Sequence, residues 1–357
     1  MPDQEDLAAL RESCSRFVAG HGYRTAAEML ATIPATTALD SYGDGGVVSE
    51  LEAEIGRLLA KPSAVFLPSG VMAQQAVLRV HADARSRRTV IFHPMCHLAQ
   101  HEDQAYQRLH GLVGRPAGDP HRLITLADLT AIAEPPAALL LELPQRDIGG
   151  QQPGWDELVA QVGWVRDRGG AAHLDGARLW ESASGYGRPP AEIAGLFDTV
   201  YVSFYKGIGA LAGCCVAGPE DVVAQVREWR KRMGGTLYGL WPGAASALSC
   251  LAERLPRFSS YLEHARAIAA ALTAVPGVTV VPDPPQVPMM HLLLRTTAER
   301  YTAAARRLAE QDGIWIAQTA GATADPGLVR LELSVGDATL GFAPAEVAGL
   351  VGGLTGG

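Results

Sequence analysis

The sequence is poor in lysine. Of its 30 basic residues only Lys61, Lys206 and Lys231 are lysine, and arginine supplies the rest. A GC-rich genome produces this bias by replacing dispensable lysine with arginine, so each survivor invites its own explanation. Cysteine is also scarce. Cys14, Cys96, Cys214, Cys215 and Cys250 are odd in number and lack metal-ligand spacing, which points to reduced thiols in a cytoplasmic protein. No apolar run is long enough to span a bilayer. The acidic opening Met1-Pro2-Asp3-Gln4-Glu5-Asp6 has no apolar core, so no secretory signal is expected. Charged residues make up 19% and the net charge is −8, which gives no electrostatic reason to hold nucleic acid or an anionic membrane.

What is present is a 357-residue chain with 48% hydrophobic content, enough for one large domain and a smaller one. Residues 5–32 read as helix with breaks at Gly20 and Gly22. A glycine-rich loop over 43–46 precedes an amphipathic helix over 48–59, with Leu51, Ile55, Leu58 and Leu59 at helical spacing and Ser49 as its expected N-cap. Short apolar runs then alternate with helices. Strands are expected at 64–67, 89–92, 137–143, 170–175, 199–203 and 214–217, with helices from about 71 and over 158–168. This pattern predicts an α/β fold with a mainly parallel sheet covered on both faces. A longer helix begins near Trp241, and further strands are expected at 278–282, 291–295 and 329–333. The expected division is a helical segment over 1–40, a large domain over 41–245 and a small C-terminal domain over 246–357.

Active sites in such sheets lie just beyond the strand carboxyl ends, and three of the expected strand ends carry reactive residues. Lys206 follows the strand 199–203 in Ser203-Phe204-Tyr205-Lys206-Gly207-Ile208-Gly209. A desolvated lysine has a lowered pKa and becomes a nucleophile; the competing reading is a loop lysine at the surface. Lys61 follows a helix end, where a cation suits the macrodipole, and Lys231 sits in an Arg-Lys-Arg run. Asp175 ends an apolar strand in His173-Leu174-Asp175-Gly176-Ala177-Arg178. A carboxylate there needs a cationic partner. The protonated ring nitrogen of pyridoxal phosphate (PLP) is one such partner, and an N-cap aspartate with a structural arginine is the alternative. Arg178 is suited to clamp a substrate carboxylate bidentately. Pro68-Ser69-Gly70-Val71 is a strand-to-helix turn able to cradle phosphate, and Ser203 offers a further hydroxyl. His97 follows the strand 89–92, where an imidazole either stacks on a cofactor ring or decorates a surface loop.

Taken together these stretches resemble the L-threonine aldolases, in the β-eliminating-lyase branch of fold-type-I PLP enzymes. The matching segments are Tyr42-Gly43-Asp44, Pro68-Ser69-Gly70, Cys96-His97 with Glu102, His173 through Trp180, Ser203 through Gly207, and Trp229-Arg230-Lys231 through Gly234-Gly235, with a weaker echo at Val329-Arg330-Leu331. The resemblance implies the PLP-dependent transferase-like fold of aspartate aminotransferase. It assigns Lys206 as the lysine that carries the cofactor, Asp175 as the partner of the ring nitrogen and His97 as the stacking residue. Ser69, Gly70 and Val71 would hold the cofactor's phosphate, with Ser203 a further cofactor contact; Arg178 and Arg330 would hold the substrate carboxylate, and Tyr42 and Gln145 would also bind the substrate. It implies an amino-acid substrate, a homodimer or homotetramer, and retro-aldol cleavage of a β-hydroxy-α-amino acid to glycine and an aldehyde. β-Elimination, transfer of the glycine carbanion to another aldehyde, or a PLP-binding protein without turnover are the alternatives.

Departures from the family pattern cluster on the substrate side. The Glu-Asn-Thr-His segment is Glu142-Leu143-Pro144-Gln145, so a glutamine replaces the histidine that meets the β-hydroxyl, and glutamine is no proton acceptor at neutral pH. His97, a water or His101 remain as candidate bases. Val71 replaces the threonine of the phosphate turn, and Thr236-Leu237-Tyr238 replaces Gly-Met-Arg. These changes predict a substrate other than simple threonine, such as a bulkier phenylserine-like amino acid.

Overall fold

The computed structural model describes residues 3–355. They form two compact units, one over residues 26–256 and one made of the described residues before 26 and from 257 onward. The larger unit therefore also takes in residues 26–40 and 246–256.

The larger unit is built on seven strands. They are β1 (Ser63–Leu67), β2 (Thr89–Phe92), β3 (Val113–Pro116), β4 (Ala138–Glu142), β5 (Ala171–Gly176), β6 (Thr199–Ser203) and β7 (Cys214–Gly218). Their spatial order is β1-β7-β6-β5-β4-β2-β3. Only β7 runs against its neighbours; the remaining pairings are parallel. The strands β5, β6 and β7 are buried along their whole length, as continuous apolar runs in a sheet covered on both faces should be. The helix Gly70–Arg85 is almost as deeply buried. Its Ala73, Ala76, Val77 and Val80 share one apolar cluster with Val65, Val90, Leu140 and Val216 of the sheet. Each of these buried valines and leucines contributes about 1.5–3 kcal/mol when taken from water, so the strand ends above this core are held firmly.

The amphipathic helix near residue 48 begins earlier than expected, at Gly46, and runs to Leu59 with Leu51, Ile55 and Leu59 buried. Ser49 lies inside its first turn, where its hydroxyl accepts the Gly45 amide at 3.2 Å. The strand β3 was not anticipated. It is a short edge strand with exposed residues and a proline, and it lacks the apolar run that marks its neighbours.

The expected helix over 5–32 is corrected. A helix covers Asp3–Ser13, Arg16–Phe17 is a short strand parallel to Ile314–Trp315, and a second helix covers Ala26–Leu30. The expected breaks at Gly20 and Gly22 are there, both with positive φ, but the chain is already out of helix before them. The smaller unit also holds a four-stranded antiparallel sheet of β8 (Val278–Val281), β9 (Met289–Leu294), β10 (Gly321–Ala322) and β11 (Val329–Ser334), in the order β10-β11-β9-β8. The helices Phe258–Leu272, Ala298–Asp312 and Pro344–Leu354 belong to this unit. Among the described residues no helix is long and apolar enough to cross a membrane. All five cysteines are buried and unpaired.

Candidate active site

The carboxyl ends of β4, β5 and β6 bring the first group of residues together. Register places Glu142 beside Asp175 and Asp175 beside Tyr201. Asp175 is 2% exposed. Its Oδ1 accepts the Ala177 amide at 3.1 Å, and among the described residues no cation forms an ion pair with it. Burial pushes this carboxyl up from its ordinary range, and Lys206 is the largest compensating charge. Glu142 is pushed up by burial and by the negative charge of Asp175. Two adjacent buried carboxylates that repel each other are costly, and a cationic ring nitrogen beside Asp175 would offset that cost.

Lys206 stands in the loop after β6. Burial lowers the pKa of its amine, and Asp175 is the main influence in the opposite direction. The amine is therefore deprotonated more readily than a surface lysine's, as a nucleophile requires. The next residue, Gly207, is closely approached: a Cβ there would lie 2.2 Å from Oε1 of buried Glu181 and would displace that carboxylate. Glu181 Oε1 in turn accepts from Arg178 Nη1 at 3.4 Å. The two other lysines are placed differently. Lys61 donates to the Phe197 carbonyl at 2.6 Å, and Lys231 lies on the exposed face of the helix Glu220–Arg232.

The loops after β2 and β4 close the other side. His97 donates its backbone amide to Glu142 Oε2 at 2.9 Å, and its Nδ1 is 3.0 Å from Glu102 Oε1. Glu102 is fully buried and also accepts from Gln75 at 2.7 Å. The hydrogen bond to Glu102 raises the His97 pKa against the effect of burial. His97, His101, Glu142, Arg146, Asp147, Arg178 and Lys206 line one cleft. Glu142 is the residue that sequence reasoning left out of the site. A glutamate at the end of an apolar strand, level with Asp175, was the signal available.

The phosphate turn joins this group through Tyr201. The helix Gly70–Arg85 starts after extended Ser69, whose side chain makes no capping bond. A Cβ at Gly70 would fall 2.3 Å from the Tyr201 hydroxyl and 3.4 Å from that of Tyr205. The free amides of this sixteen-residue helix thus open beside the residue that pairs with Asp175. Ser203 Oγ is buried there without a well-formed hydrogen bond. Ser69, Gly70, Val71 and Ser203 fit a phosphate group, and Lys206 and Asp175 fit the aldehyde and ring nitrogen of the same cofactor.

Two expected site residues, Gln145 and Tyr42, are not brought into this cleft. Gln145 is buried, with Nε2 donating to the Met95 carbonyl at 3.0 Å and to Glu142 Oε2 at 3.3 Å. Tyr42 is exposed, packs edge-on against Tyr238 and lines another cavity with Asp44, Arg227 and Lys231. Arg330 belongs to the smaller unit, where it lies on β11 opposite Leu293, half-buried on the face turned from Val329, Leu331 and Leu333.

Comparison with known proteins identifies the family. A beta-eliminating lyase family model matches residues 23–295. A crystal structure from Listeria monocytogenes assigned as an L-allo-threonine aldolase is 36% identical, covers 98% of each chain and superposes with a TM-score of 0.91. Another, assigned as an aromatic amino acid beta-eliminating lyase/threonine aldolase from Exiguobacterium sp. 255-15, is 37% identical, covers 97% of this chain and 99% of that one, and has a TM-score of 0.90. Low-specificity L-threonine aldolase 1 of Arabidopsis thaliana is 27% identical over 292 residues, 77% of this chain and 79% of that protein.

The sheet and its strand-end site thus define a fold-type-I, pyridoxal 5'-phosphate-dependent lyase. Within that class the chain belongs to the beta-eliminating lyase family, with threonine aldolases among its relatives.

Proposed function

We propose that this enzyme cleaves a β-hydroxy-α-amino acid, threonine-like or bulkier at Cβ, to glycine and an aldehyde. The observation that carries the reading is the joint burial of the Lys206 amine and the Asp175 carboxylate at neighbouring strand ends, each the main compensating charge on the other. Bound there, PLP supplies an electron sink for the pair released when the Cα–Cβ bond breaks. Lys206 would hold the cofactor through its amine, and Asp175 would keep the ring nitrogen protonated. Arg178, steadied by Glu181, binds the substrate carboxylate, and Arg330 is a second candidate for it. Fixing that carboxylate sets which bond at Cα is cleaved, so orientation and electrostatics do most of the work.

The bulkier substrate is supported by the aromatic amino acid in the description of the Exiguobacterium neighbour. Incubating the holoenzyme with threonine and phenylserine tests the reading. Glycine with acetaldehyde or benzaldehyde is expected, with phenylserine the faster substrate. A second reading, β-elimination, is favoured by the name of the same neighbour; pyruvate and ammonia from an amino acid with a β-leaving group would establish it instead.

The assembly proposed is a homodimer or homotetramer in the cytoplasm. The five buried unpaired thiols suit that compartment, and exposed Leu39, Tyr42, Leu237 and Tyr238 give an apolar surface for a second copy to cover.

A further inference from the structure

The family's β-hydroxyl histidine is Gln145 here, and Gln145 acts as a clamp: it fastens the loop after β4 to the Met95 carbonyl in the loop after β2. That clamp sets two other residues opposite each other. His101 follows the short helix His97–Gln100, and its amide donates back to the His97 carbonyl at 2.9 Å. Asp147 sits in the single turn Arg146–Ile148 after β4. His101 Nε2 lies 2.9 Å from Asp147 Oδ2. A carboxylate only accepts, so Nε2 carries the proton and Nδ1 is left as the acceptor. Asp147 is itself held, since its Oδ1 lies 3.6 Å from Arg146 Nη1. Both residues line the cleft that contains Lys206 and Arg178, and the His101 ring is 5.2 Å from that of His97. His97 has committed Nδ1 to Glu102. In a stacking role it would present a ring face rather than a nitrogen. The charged and titratable groups facing His101 in this cleft are Asp147, Arg146, His97, Glu142, Arg178 and Lys206.

We propose that His101, oriented by Asp147, takes the β-hydroxyl proton of the substrate and so performs the task of the missing histidine. This rests on the aldolase reading above. The O–H bond breaks and its proton passes to His101 Nδ1. The freed oxygen pair forms the carbonyl of the departing aldehyde. The Cα–Cβ pair stays with Cα, which then takes up one proton, so glycine and aldehyde together contain every atom of the substrate.

The test uses His101→Asn and Asp147→Asn in the holoenzyme with whichever of threonine or phenylserine the wild type cleaves faster. His101→Asn is expected to lower kcat by about 10²–10⁴-fold, the usual contribution of a positioned general base, and Asp147→Asn by less. Exchange of the glycine α-proton with deuterated solvent involves no hydroxyl, and it should persist in both variants with the cofactor absorbance unchanged. A merely structural role would slow cleavage and exchange together. Independently of turnover, nitrogen-15 NMR of the cofactor-free protein should show His101 protonated at Nε2, and Asp147→Asn should remove that preference. A wild type that cleaves and a His101→Asn variant that cleaves within threefold of it would overturn the assignment alone, as would a His101 protonated at Nδ1. A wild type releasing no glycine from either substrate would overturn the aldolase reading, and the assignment with it.

Discussion

At Lys206 a single amine is made reactive by what surrounds it. Burial favours its neutral form and Asp175 opposes that, so the amine becomes available at lower pH than an ordinary lysine's. Lys206→Ala should abolish covalent retention of PLP through dialysis. Asp175→Asn should keep covalent attachment but weaken retention by about tenfold or more, since a shift of one pKa unit in the ring nitrogen's pairing corresponds to about 1.4 kcal/mol; equilibrium dialysis with PLP measures it. Gln145→His is expected not to raise activity toward threonine, because the side chain at 145 is buried and fastened to the Met95 carbonyl and is not among the residues lining the cleft. A substantial gain in kcat/KM would contradict that placement. Lys206, Asp175 and His97 were legible in the sequence because each follows an apolar run that could only be a buried strand. The sequence could not show which way Gln145 and Tyr42 face, since that depends on hydrogen bonds to residues 50 and 196 positions away, Met95 and Tyr238.

Among the elements, the helix Gly70–Arg85 bears most directly on the cofactor. Its N-terminus is pressed against Tyr201, so Gly70→Ala should push the turn away from β6 and weaken PLP binding. Tyr201→Phe removes the atom that the new Cβ would meet at 2.3 Å. The double variant should therefore recover part of the lost affinity, and a titration of cofactor-free protein with PLP would show no recovery if the contact were unimportant. Core strands such as β5 and β6 announced themselves through uninterrupted apolar residues. The edge strand β3 did not, because a Val-Gly-Arg-Pro segment exposed along one side has no burial pattern to read. The stretch before residue 32 misled for the opposite reason. Its composition favours helix, but the pairing of Arg16–Phe17 with Ile314–Trp315 is a contact nearly 300 residues distant.

For the molecule as a whole, acid sensitivity follows from two histidines buried behind the site. His173 Nε2 is 2.8 Å from Gln74 Oε1, while its Nδ1 and the Nε2 of His81 both lie 2.8 Å from Thr199 Oγ1. The Thr199 hydroxyl donates to His173 Nδ1, which must be unprotonated to accept, and accepts from His81 Nε2, while His81 Nδ1 faces the Arg85 guanidinium at 3.5 Å and cannot carry a proton toward it. Burial depresses each to about 3 from 6.5. The unfolded chain therefore binds more protons between these values. The stability that the neutral pair contributes is fully present above about pH 6.5 and is lost as pH falls toward 3. Thermal melts from pH 7 to 4 should show this loss, and His81→Asn with His173→Gln should flatten it; an unchanged slope would contradict the account.

The central claim is that one amine, at Lys206, carries the cofactor. The chain has only two other lysines, so borohydride reduction of the holoenzyme followed by peptide mapping is decisive. The pyridoxyl label is expected on the peptide containing Lys206. A label on Lys61 or Lys231, with Lys206 unmodified, would contradict it.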